Sequence, residues 1–377
     1  MKEPATPFPL TGYYGAEYFC DRDEETKTVL GNIRNGLSTV LTAQRRIGKT
    51  SLIMHILAKK TPGVRTIYLD ILATESRHDF LNNLATALVK NIADKKGFGR
   101  KLWDFIRSLG PVLSFDDLSG SPRVSFIPGS VDVNEKVESI LNFLEKQEDK
   151  FVIAIDEFQQ ILNYPDNNTD AWLRSIIQRM KNVVFIFSGS QQHLMTELFT
   201  MPARPFYNSA SMLKIEKINQ SVYTDFIKRK FLKSGKKISA DVTKNILRWT
   251  DCHTYYVQLL CGRVFISGAA EITNEVWKEE ASKLLLENEV VFFNYRGMLT
   301  GPQWQLLKAI GREGEVFEPT SADFISKNRL GATATVLRSL KSLQKMELIY
   351  YDFDNVGRKF FKMNDLLFRR WAETKEL

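Results

Sequence analysis

The sequence predicts an α/β protein whose core is a parallel sheet with helices on both faces. Between about residues 19 and 218, apolar segments of strand length alternate with segments of helical periodicity, which is the pattern of a parallel sheet. The segments 151–158 and 183–189 are almost wholly apolar, as expected for central strands covered on both sides. This alternation ends near residue 218, so we expect the rest of the chain to form smaller domains.

The first strand, 37–42, leads into a loop with a characteristic spacing of glycine, lysine and threonine. A segment with helical spacing of apolar residues follows the loop, so the order is strand, loop, helix. This order is the context that a phosphate-binding loop requires, and it predicts the parallel sheet of a P-loop NTPase. The loop and the first helical residues read Ala43-Gln44-Arg45-Arg46-Ile47-Gly48-Lys49-Thr50-Ser51.

This loop is expected to bind a nucleoside triphosphate. A loop at a helix N-terminus turns several backbone N–H groups toward phosphate oxygens, and the helix dipole adds positive potential. We expect residues 44–51 to surround the phosphates, Lys49 to reach the β- and γ-phosphates, and the Thr50 hydroxyl to bind Mg²⁺. Ala43 replaces the usual first glycine, which the loop tolerates if that position needs no positive φ. The alternative interpretation is an ordinary strand-to-helix turn with a surface lysine.

A pair of carboxylates, Asp156 and Glu157, lies near the end of the central strand 151–158. We expect Asp156 to hold the Mg²⁺ through a water molecule. Glu157 is placed to orient or deprotonate the water that attacks the γ-phosphate, which would make Glu157 and Lys49 the catalytic residues. A solvated strand end is the alternative. The remaining strands are expected at 64–71 and 212–218, which completes a core domain of residues 1–218.

An insertion of about residues 95–129 separates the second strand from the strand with the two carboxylates. Its segments 111–115 and 123–126 alternate apolar and polar residues on either side of a turn-forming stretch, which predicts a β-hairpin. The pattern assigns no chemistry to this hairpin. Surface decoration and partner binding both remain open.

Residues 219–296 are expected to form a small helical lid, because only helical periodicity remains from about Ser221 to Asn288. In nucleotide switches such a lid closes over the base and the phosphates, so its position reports which nucleotide is bound. Gly297, Gly301 and Pro302 mark the boundary to the last segment.

The last segment, residues 297–377, is predicted to be a winged helix-turn-helix domain. Three helices precede two strands that flank the hairpin turn Asp354-Asn355-Val356-Gly357, which is the order of that motif. The helices are expected at 303–311, 321–327 and 333–345, and the strands at 348–351 and 359–362.

The third of these helices has an apolar face and a basic face. The apolar face is expected to consist of Val336, Leu337, Leu340 and Leu343. The basic face carries Arg338, Lys341 and Lys345 at helical spacing. Three interpretations of this face stay open: contact with double-stranded DNA, docking of a protein or an autoinhibitory segment, and a passive solvated surface.

Composition excludes several classes of protein. With 377 residues, 44% of them hydrophobic and 25% charged, the chain is long and apolar enough for two or three folded domains. We find no signal-like N-terminus and no uncharged apolar run of about eighteen residues, so we expect a cytoplasmic protein without a membrane segment. The three cysteines lack a C-x-x-C spacing, and neither a disulfide framework nor a zinc site is expected. The net charge of +8 permits contact with nucleic acid but does not require it.

With these pieces in place, the chain resembles the prokaryotic P-loop ATPases of the AAA+ and STAND type over nearly its whole length. It is most similar to the archaeal-type ATPases, which in turn are similar to origin-recognition initiators, and the order of the final winged helix agrees with theirs. The resemblance depends on Phe19-Cys20-Asp21-Arg22-Asp23-Glu24-Glu25, on the loop 44–51, on Ala154-Ile155-Asp156-Glu157-Phe158-Gln159 and on Phe187-Ser188-Gly189-Ser190.

The resemblance implies ATP or ADP with Mg²⁺ as the ligands, and further roles for three residues. The N-terminal segment would lie near the base and ribose, with Arg22 in contact, although Arg22 pairing only with Glu25 is the alternative. Ser188 or Ser190 would be the polar sensor that detects the γ-phosphate or its water, although capping of a helix near Gln191 is the alternative.

Two departures from the family pattern bear on activity. The stretch Arg204-Pro205-Phe206-Tyr207-Asn208-Ser209 lacks the arginine that follows Pro-Phe-Tyr-Gly in relatives, so the resemblance implies slow hydrolysis. Cys252-His253-Thr254-Tyr255 stands where relatives have a Gly-His-Pro turn, and His253 is expected either to touch a phosphate or to serve packing at the helix end.

The leading hypothesis is an ATP-dependent conformational switch that hydrolyses ATP slowly and couples its nucleotide state to DNA or protein binding through the winged helix. A nucleotide-sensing interaction scaffold without hydrolysis is the second hypothesis. A DNA loader or transposition-type regulator that forms an ATP-dependent oligomer is the third.

Overall fold

The computed structural model describes residues 3–91, 97–117, 120–129, 132–354 and 356–374, and these group into two compact units. The first unit consists mainly of Pro9–Tyr223 together with His253–Tyr255. The second contains Thr6–Phe8, Thr224–Cys252 and the residues from Tyr256 onward. The chain therefore leaves the first unit near residue 223 and returns to it briefly at residues 253–255.

The first unit is built on a parallel sheet, as predicted. Within the described residues, its strands are β1 (Thr39–Thr42), β2 (Val64–Asp70), β5 (Lys150–Asp156), β6 (Val183–Ser188) and β7 (Ser211–Lys214), and a hairpin outside the sheet contains β3 (Val112–Phe115) and β4 (Pro122–Ser125). The order across the sheet is β2-β5-β6-β1-β7, and neighbouring strands are parallel. Helices cover both faces, so the predicted fold class is confirmed.

The helices of the first unit alternate with the strands. They are α1 (Asp23–Arg34), α2 (Lys49–Ala58), α3 (Arg77–Asn91), α4 (Phe98–Ser108), α5 (Val133–Glu145), α6 (Thr169–Ile177) and α7 (Gln192–Thr200), with short 3₁₀ helices at Ala16–Tyr18 and Phe158–Asn163.

The position of β6 between β1 and β5 decides where the functional residues meet. Leu41 of β1 lies opposite Ser188, and Ile155 of β5 lies opposite Phe187. Because the carboxyl ends of parallel strands share one edge of a sheet, the phosphate-binding loop, the Asp-Glu pair and the serines after β6 come together there.

Two apolar clusters hold the sheet between its helices. One face packs a group of aromatic rings, and the opposite face packs against α1 and α2. Burial of each large apolar side chain contributes roughly 1.5–3 kcal/mol to the stability of the fold. The sheet therefore provides a stable base for the loops at its edge. Among the buried rings of this face, a group in mutual contact consists of Phe158, Phe185, Phe187, Phe199 and Phe206.

The insertion contains α4 and the predicted β-hairpin, whose strands pair antiparallel with Val112 opposite Ser125. Residues 95–96 and 118–119 of the predicted insertion lie outside the described residues. The hairpin attaches to α3 because Thr86 Oγ1 accepts from Val124 N (2.9 Å) and donates to Val124 O (3.1 Å). In addition, Asn82 Oδ1 accepts from Phe126 N (2.9 Å).

The lid region is largely helical, but one part of the prediction was wrong. We expected only helices between about residues 221 and 288, whereas β8 (Lys237–Ile238) and β9 (Glu271–Ile272) form a short parallel pair. Two residues are too few to show an alternating pattern in the sequence. The helices of this region are α8 (Gln220–Lys233), α9 (Ala240–Trp249), α10 (Thr254–Ile266), α11 (Asn274–Glu287) and α12 (Glu289–Met298).

The remaining elements have the order of a winged helix. They are α13 (Gly301–Glu313), α14 (Ala322–Asn328), α15 (Thr333–Lys345), β10 (Ile349–Phe353), β11 (Lys359–Met363) and α16 (Leu366–Thr374). A capping box between Thr300 and Gln303 begins α13. Val316 forms an antiparallel bridge to Phe361, which adds a short third strand to the wing. Asn355 of the predicted turn lies outside the described residues.

The apolar face predicted for α15 was wrong at Leu337. The buried residues of this helix are Val336, Ser339, Leu340 and Leu343, whereas Leu337 is 44% exposed. At about 100° per residue, position 337 points within about 40° of position 341. Leu337 therefore lies beside the basic residues and not in the core.

Candidate nucleotide-binding site

The loop between β1 and α2 has the backbone conformation of a sharp turn into a helix. Arg46 (φ 62°) and Gly48 (φ 105°) adopt left-handed conformations, whereas Ala43 does not. Ala43 is 1% exposed and belongs to the apolar cluster beneath the loop, which explains why alanine can replace glycine there. Because α2 begins at Lys49, the N–H groups of residues 49–51 lack acceptors within the helix and are suited to bind an anion.

The side chain of Lys49 is buried beneath this loop. Its ammonium group donates to the carbonyl oxygens of Ala43 (3.1 Å) and Gln44 (3.2 Å). Burial lowers the pKa of Lys49 to about 8, although the nearby Asp156 and Glu157 act in the opposite direction. Keeping the Lys49 ammonium group charged in the free protein therefore costs free energy, and a bound anion would offset this cost.

Thr50 and Asp156 meet at the expected metal position. The Thr50 hydroxyl donates to Asp156 Oδ2 (2.6 Å), and the Tyr68 hydroxyl donates to the same oxygen (3.1 Å). Burial, and secondly the charge of Asp156, raise the pKa of Tyr68, so its hydroxyl stays protonated and donates. Tyr68 was not predicted from the sequence. Tyr68 lies opposite Ala154, two residues before Asp156 along β5, and this neighbour follows from the strand pairing and not from a local pattern.

The donor set at this position fits Mg²⁺. Carboxylate and hydroxyl oxygens are the ligands that this ion prefers, and Mg²⁺ commonly combines one or two protein oxygens with substrate phosphates. In the described part of the chain, no group of three or more His, Cys, Asp and Glu side chains suited to a metal occurs.

The Glu157 carboxylate is fixed by three donors from two residues, Gln159 and Ser190. Glu157 has a left-handed backbone (φ 57°), and its Oε2 accepts from Gln159 Nε2 (2.6 Å) and from the Ser190 hydroxyl (2.8 Å). The backbone N–H of Ser190 points to the same oxygen (3.2 Å). Ser190 therefore couples the end of β6 to the residue expected to activate water. The sequence analysis missed Gln159 as a functional residue, although it lies two residues after Glu157.

Gly189 allows this arrangement by its lack of a side chain. A Cβ at this position would lie 2.1 Å from Gln159 Oε1 and 2.7 Å from two atoms of Met195. The glycine is thus required by crowding beneath Glu157 and not by its backbone dihedral angle.

Ser188 and Arg22 both have a buried polar atom without a hydrogen-bond partner in the described residues. The atoms are Ser188 Oγ and Arg22 Nη2. Nη1 of Arg22 pairs with Glu25 Oε1 (2.7 Å), which was the alternative considered for this arginine. The N-cap residue of α7 is Gln191, and the bonds of the Ser190 hydroxyl go to Glu157, so capping by this serine is not what the structure shows.

Residues 253–255 contact the phosphate-binding loop within the first unit. His253 Nε2 donates to the carbonyl oxygen of Arg45 (3.0 Å), and the guanidinium of Arg46 lies 4.5 Å from the centre of the Tyr255 ring. His253 thus contacts the backbone that is expected to surround the phosphates. The side chains of Arg45 and Arg46 are exposed.

The candidate hydrolytic site has no arginine from the stretch 204–209. Arg204 pairs with Glu197 and lies 3.9 Å from Asp170, so its charge is already compensated. Arg204 precedes Pro205 and is therefore not the arginine that the family pattern places after Pro-Phe-Tyr-Gly, and its ion pair gives it a structural role.

The basic residues of α15 form a second candidate surface, in the second unit. Arg338, Lys341 and Lys345 are exposed, and none has a carboxylate partner in the described part of the chain. Leu337 adds an exposed apolar side chain to this face.

Sequence comparison identifies both parts of the chain. Residues 19–260 match the family described as an ATPase domain predominantly from Archaea, and residues 290–374 match a probable winged helix domain. The predicted family and the C-terminal winged helix are thereby confirmed. No curated protein matches the sequence.

Several solved structures share this fold. The Walker-type ATPase PABY2304 of Pyrococcus abyssi is 18% identical, covers 98% of this chain and 100% of its own, and has a TM-score of 0.67. The Aeropyrum pernix ORC2 protein, in ADPNP-ADP complexes, is 10% identical over 97% and 95% of the two chains, with a TM-score of 0.58. The Aeropyrum pernix ORC1 protein, in complex with DNA, is 12% identical over 99% and 97%, with a TM-score of 0.50.

None of the helices in the described residues is long and apolar enough to cross a membrane.

Proposed function

We propose a function for this chain, which belongs to the family of ATPase domains found predominantly in Archaea. We infer that it is a slow Mg²⁺-dependent ATPase that acts as a conformational switch. Its nucleotide state would control the binding of DNA or of a partner protein through the winged helix. ATPase-type nucleotide binding follows from the family. Hydrolysis, its rate and its coupling to a partner are the proposed parts.

The observation that carries the proposal is the convergence of Thr50, Asp156 and Glu157 at one edge of the sheet. Thr50 and Asp156 are in hydrogen-bond contact (2.6 Å) although 106 residues separate them in the sequence. An ordinary strand-to-helix turn gives no reason for this pairing. A metal site between a phosphate-binding loop and a strand-end carboxylate does.

Each residue then has a distinct task in hydrolysis. Mg²⁺ held by Thr50 and Asp156 would supply positive charge that offsets the charge of the phosphates. Lys49 would turn from the carbonyls of the loop to the phosphate oxygens, and Thr50 and Asp156 would hold the ion. Glu157 would orient and deprotonate the attacking water, while Gln159 and Ser190 keep its carboxylate in place.

The signal to the winged helix is proposed to start at residues 253–255. These residues contact the loop carbonyl of Arg45, which would move when phosphate binding rearranges the loop. Helix α10 begins at Thr254 in the first unit and continues in the second, so the helix connects residues 254–255 covalently to the remaining lid helices.

Two substitutions test the proposal. Lys49→Ala should abolish ATP binding because it removes the cation beneath the loop, whereas Lys60→Ala, at an exposed position after α2, should not. Glu157→Gln should bind ATP normally and retain it uncleaved, whereas Glu148→Gln on the surface should hydrolyse ATP like the wild type. Filter binding and a phosphate-release assay measure both effects. Unchanged binding by Lys49→Ala together with unchanged turnover by Glu157→Gln would refute the proposal.

A nucleotide-sensing scaffold without hydrolysis is the second candidate. The ion pair between Arg204 and Glu197 favours it, because no arginine of that stretch is available to stabilise the transition state. A single-turnover experiment separates the two functions. ATP that remains intact in the complex for hours would favour the scaffold.

An ATP-dependent oligomer that assembles on DNA is the third candidate, which light scattering after size-exclusion chromatography would detect. A monomer that persists in the presence of both ATP and duplex DNA would argue against it.

A further inference from the structure

The outer edge of β2 carries backbone groups without partners in the described part of the chain. Lys150 N donates to Gly63 O (2.8 Å) and Ile71 N to Asp156 O (3.2 Å), so the odd-numbered residues pair with β5. In a parallel ladder, alternate residues direct their N–H and C=O groups to opposite sides. The N–H and C=O groups of Thr66 and Tyr68 therefore point away from β5, toward the outer edge of the sheet.

Backbone groups at both ends of this edge form local hydrogen bonds, whereas those at its centre form none among the described residues. Val64 N donates to Thr61 O (3.1 Å), and Asn83 Nδ2 donates to Asp70 O (2.8 Å). Thr66 and Tyr68, which lie between them, have no backbone hydrogen bond on that side among the described residues. Both are half-buried and not fully exposed to solvent.

These groups line a groove of about 1340 Å³. Met54 and Leu57 of α2 give one wall an apolar surface, whereas Asn82, Thr86 and Asn91 of α3 give the other wall amide and hydroxyl groups. An edge strand flanked by an apolar and a polar wall suits an extended peptide, because successive side chains of a strand point to opposite faces.

One end of the groove is positively charged. Lys90 and Arg123 line it, and neither has a carboxylate partner in the described part of the chain. The hydrogen bonds between Thr86 and Val124 place Arg123 at the level of the last turn of α3, which contains Lys90. The groove also contains two acids, Asp79, which accepts from the Glu75 N–H and the Ser76 hydroxyl, and Asp116.

We propose that this groove is the docking site for an extended, acidic segment of a partner protein, which adds to the sheet as a strand beside β2. Main-chain hydrogen bonds to Thr66 and Tyr68 would provide affinity, and Lys90 and Arg123 would select acidic side chains at one end. A six-residue segment spans about 20 Å, which is comparable to the length of β2.

The groove overlaps the nucleotide site at Thr50 and Ser51, whereas Thr66, Lys90 and Arg123 lie in the groove alone. Tyr68 belongs to both regions, since its side chain donates to Asp156 while its backbone faces the groove. The peptide site itself does not depend on ATP hydrolysis, so it can be tested separately.

The test uses the full chain and synthetic peptides labelled with fluorescein. The acidic probe is Glu-Glu-Val-Thr-Val-Thr, and the controls are the same peptide with two lysines in place of the glutamates and an acidic peptide with alternate backbone N-methyl groups. We expect the acidic peptide to bind at least tenfold more tightly than either control by fluorescence anisotropy. Amide hydrogen exchange of residues 64–70 should slow in its presence.

Two variants locate the binding. Lys90→Glu/Arg123→Glu should reverse the preference from the acidic to the basic peptide, whereas Lys146→Glu/Lys181→Glu, at exposed positions outside the groove, should not. Thr66→Pro should reduce binding at least tenfold, since proline removes an outward N–H group that β2 does not use within the sheet. Melting temperature and ATP binding of each variant report whether the fold and the nucleotide site are intact.

Four results would overturn the proposal. These are binding of none of the peptides, equal binding of the N-methylated peptide, displacement of the peptide by ATP, and dimerisation of the chain that Thr66→Pro abolishes. Displacement would assign the groove to the nucleotide, and such a dimer would assign the edge to a second copy of this chain. Loss of ATP turnover in Glu157→Gln, by contrast, concerns only the proposed function.

Discussion

Lys49 combines burial with a charge that the ligand must stabilise, and this makes nucleotide binding sensitive to pH. The pKa of its ammonium group is lowered to about 8 by burial in the free protein. Triphosphate oxygens favour the charged form, so the pKa should rise on binding. Nucleotide binding is therefore accompanied by proton uptake at any pH at which Lys49 of the free protein is neutral.

We predict that ATP affinity is constant below pH 7 and falls as the pH rises above 8, by up to about tenfold per unit. Calorimetry in buffers of different ionisation enthalpy should detect uptake that approaches one proton per nucleotide at pH 9. Lys49→Arg keeps its charge over this range and should bind without proton uptake. A flat wild-type profile between pH 7 and 10 would contradict the prediction.

Gly189→Ala tests the support beneath Glu157. The added Cβ would collide with Gln159 and Met195, so the Gln159–Glu157 hydrogen bond should be lost. We expect a loss of about 1–3 kcal/mol in unfolding free energy, as in overpacked cores, and reduced ATP turnover with ATP binding retained.

Gly31→Ala is the matched control, because a Cβ there meets nothing within 4 Å and the residue lies inside α1. It should stabilise the protein slightly, by about 0.5–1 kcal/mol. Wild-type stability and turnover in Gly189→Ala would show that Gln159 is not a positioning residue.

At the scale of the element, α15 allows a direct test of DNA binding. If Arg338, Lys341 and Lys345 each neutralise a phosphate, log K should fall with log salt at a slope near −2.7, from about −0.9 per phosphate. Replacement of all three by glutamine should remove this slope and weaken binding. Lys283→Gln, in an ion pair on α11, serves as the control. A salt-independent affinity would favour protein docking on this face.

Truncation of Leu340 should lower the unfolding free energy of the protein more than truncation of Leu337 in the same helix. Leu340 is 6% exposed and Leu337 44%. We expect Leu340→Ala to cost about 2–5 kcal/mol, as in other cores, and Leu337→Ala to change the unfolding free energy by no more than about 0.5 kcal/mol. Urea denaturation of both variants measures this. Equal losses would mean that Leu337 is a core residue after all.

At the scale of the whole molecule, lid helices and winged helix belong to one compact unit. Within it, the nearly buried ammonium of Lys362 pairs with Asp251 (2.7 Å) and Glu315 (3.2 Å). The guanidinium of Arg370 also donates to the carbonyl of Trp249 (2.9 Å). The contacts to Asp251 and Trp249 connect sequence segments more than a hundred residues apart.

We predict that α9 and α16 unfold together. Asp251→Asn/Glu315→Gln leaves a nearly buried cation without a counter-ion and should cost about 1–3 kcal/mol, more than Lys362→Met. Hydrogen exchange at increasing urea should show both helices losing protection at the same concentration and shifting together in the double variant. Separate transitions for residues 240–249 and 366–374 would contradict the prediction.

Elements with local signals could be predicted from the amino-acid sequence. The loop 43–51, the Asp156-Glu157 pair and the helix at 333–345 were all recognised because their patterns occupy a few consecutive residues. The hairpin of the insertion was predicted for the same reason. The conformation of the phosphate-binding loop likewise depends on adjacent residues, above all on Gly48.

Which distant residues share a site depends on how the chain packs in three dimensions. Tyr68 meets Asp156, Ser190 meets Glu157, and His253 meets the carbonyl of Arg45, across separations of 33 to 208 residues. These contacts follow from the position of β6 between β1 and β5 and from the return of the chain at residue 253. The strand order and the return of the chain to the first unit depend on packing energies summed over the whole unit. A pattern of a few consecutive residues does not contain that information.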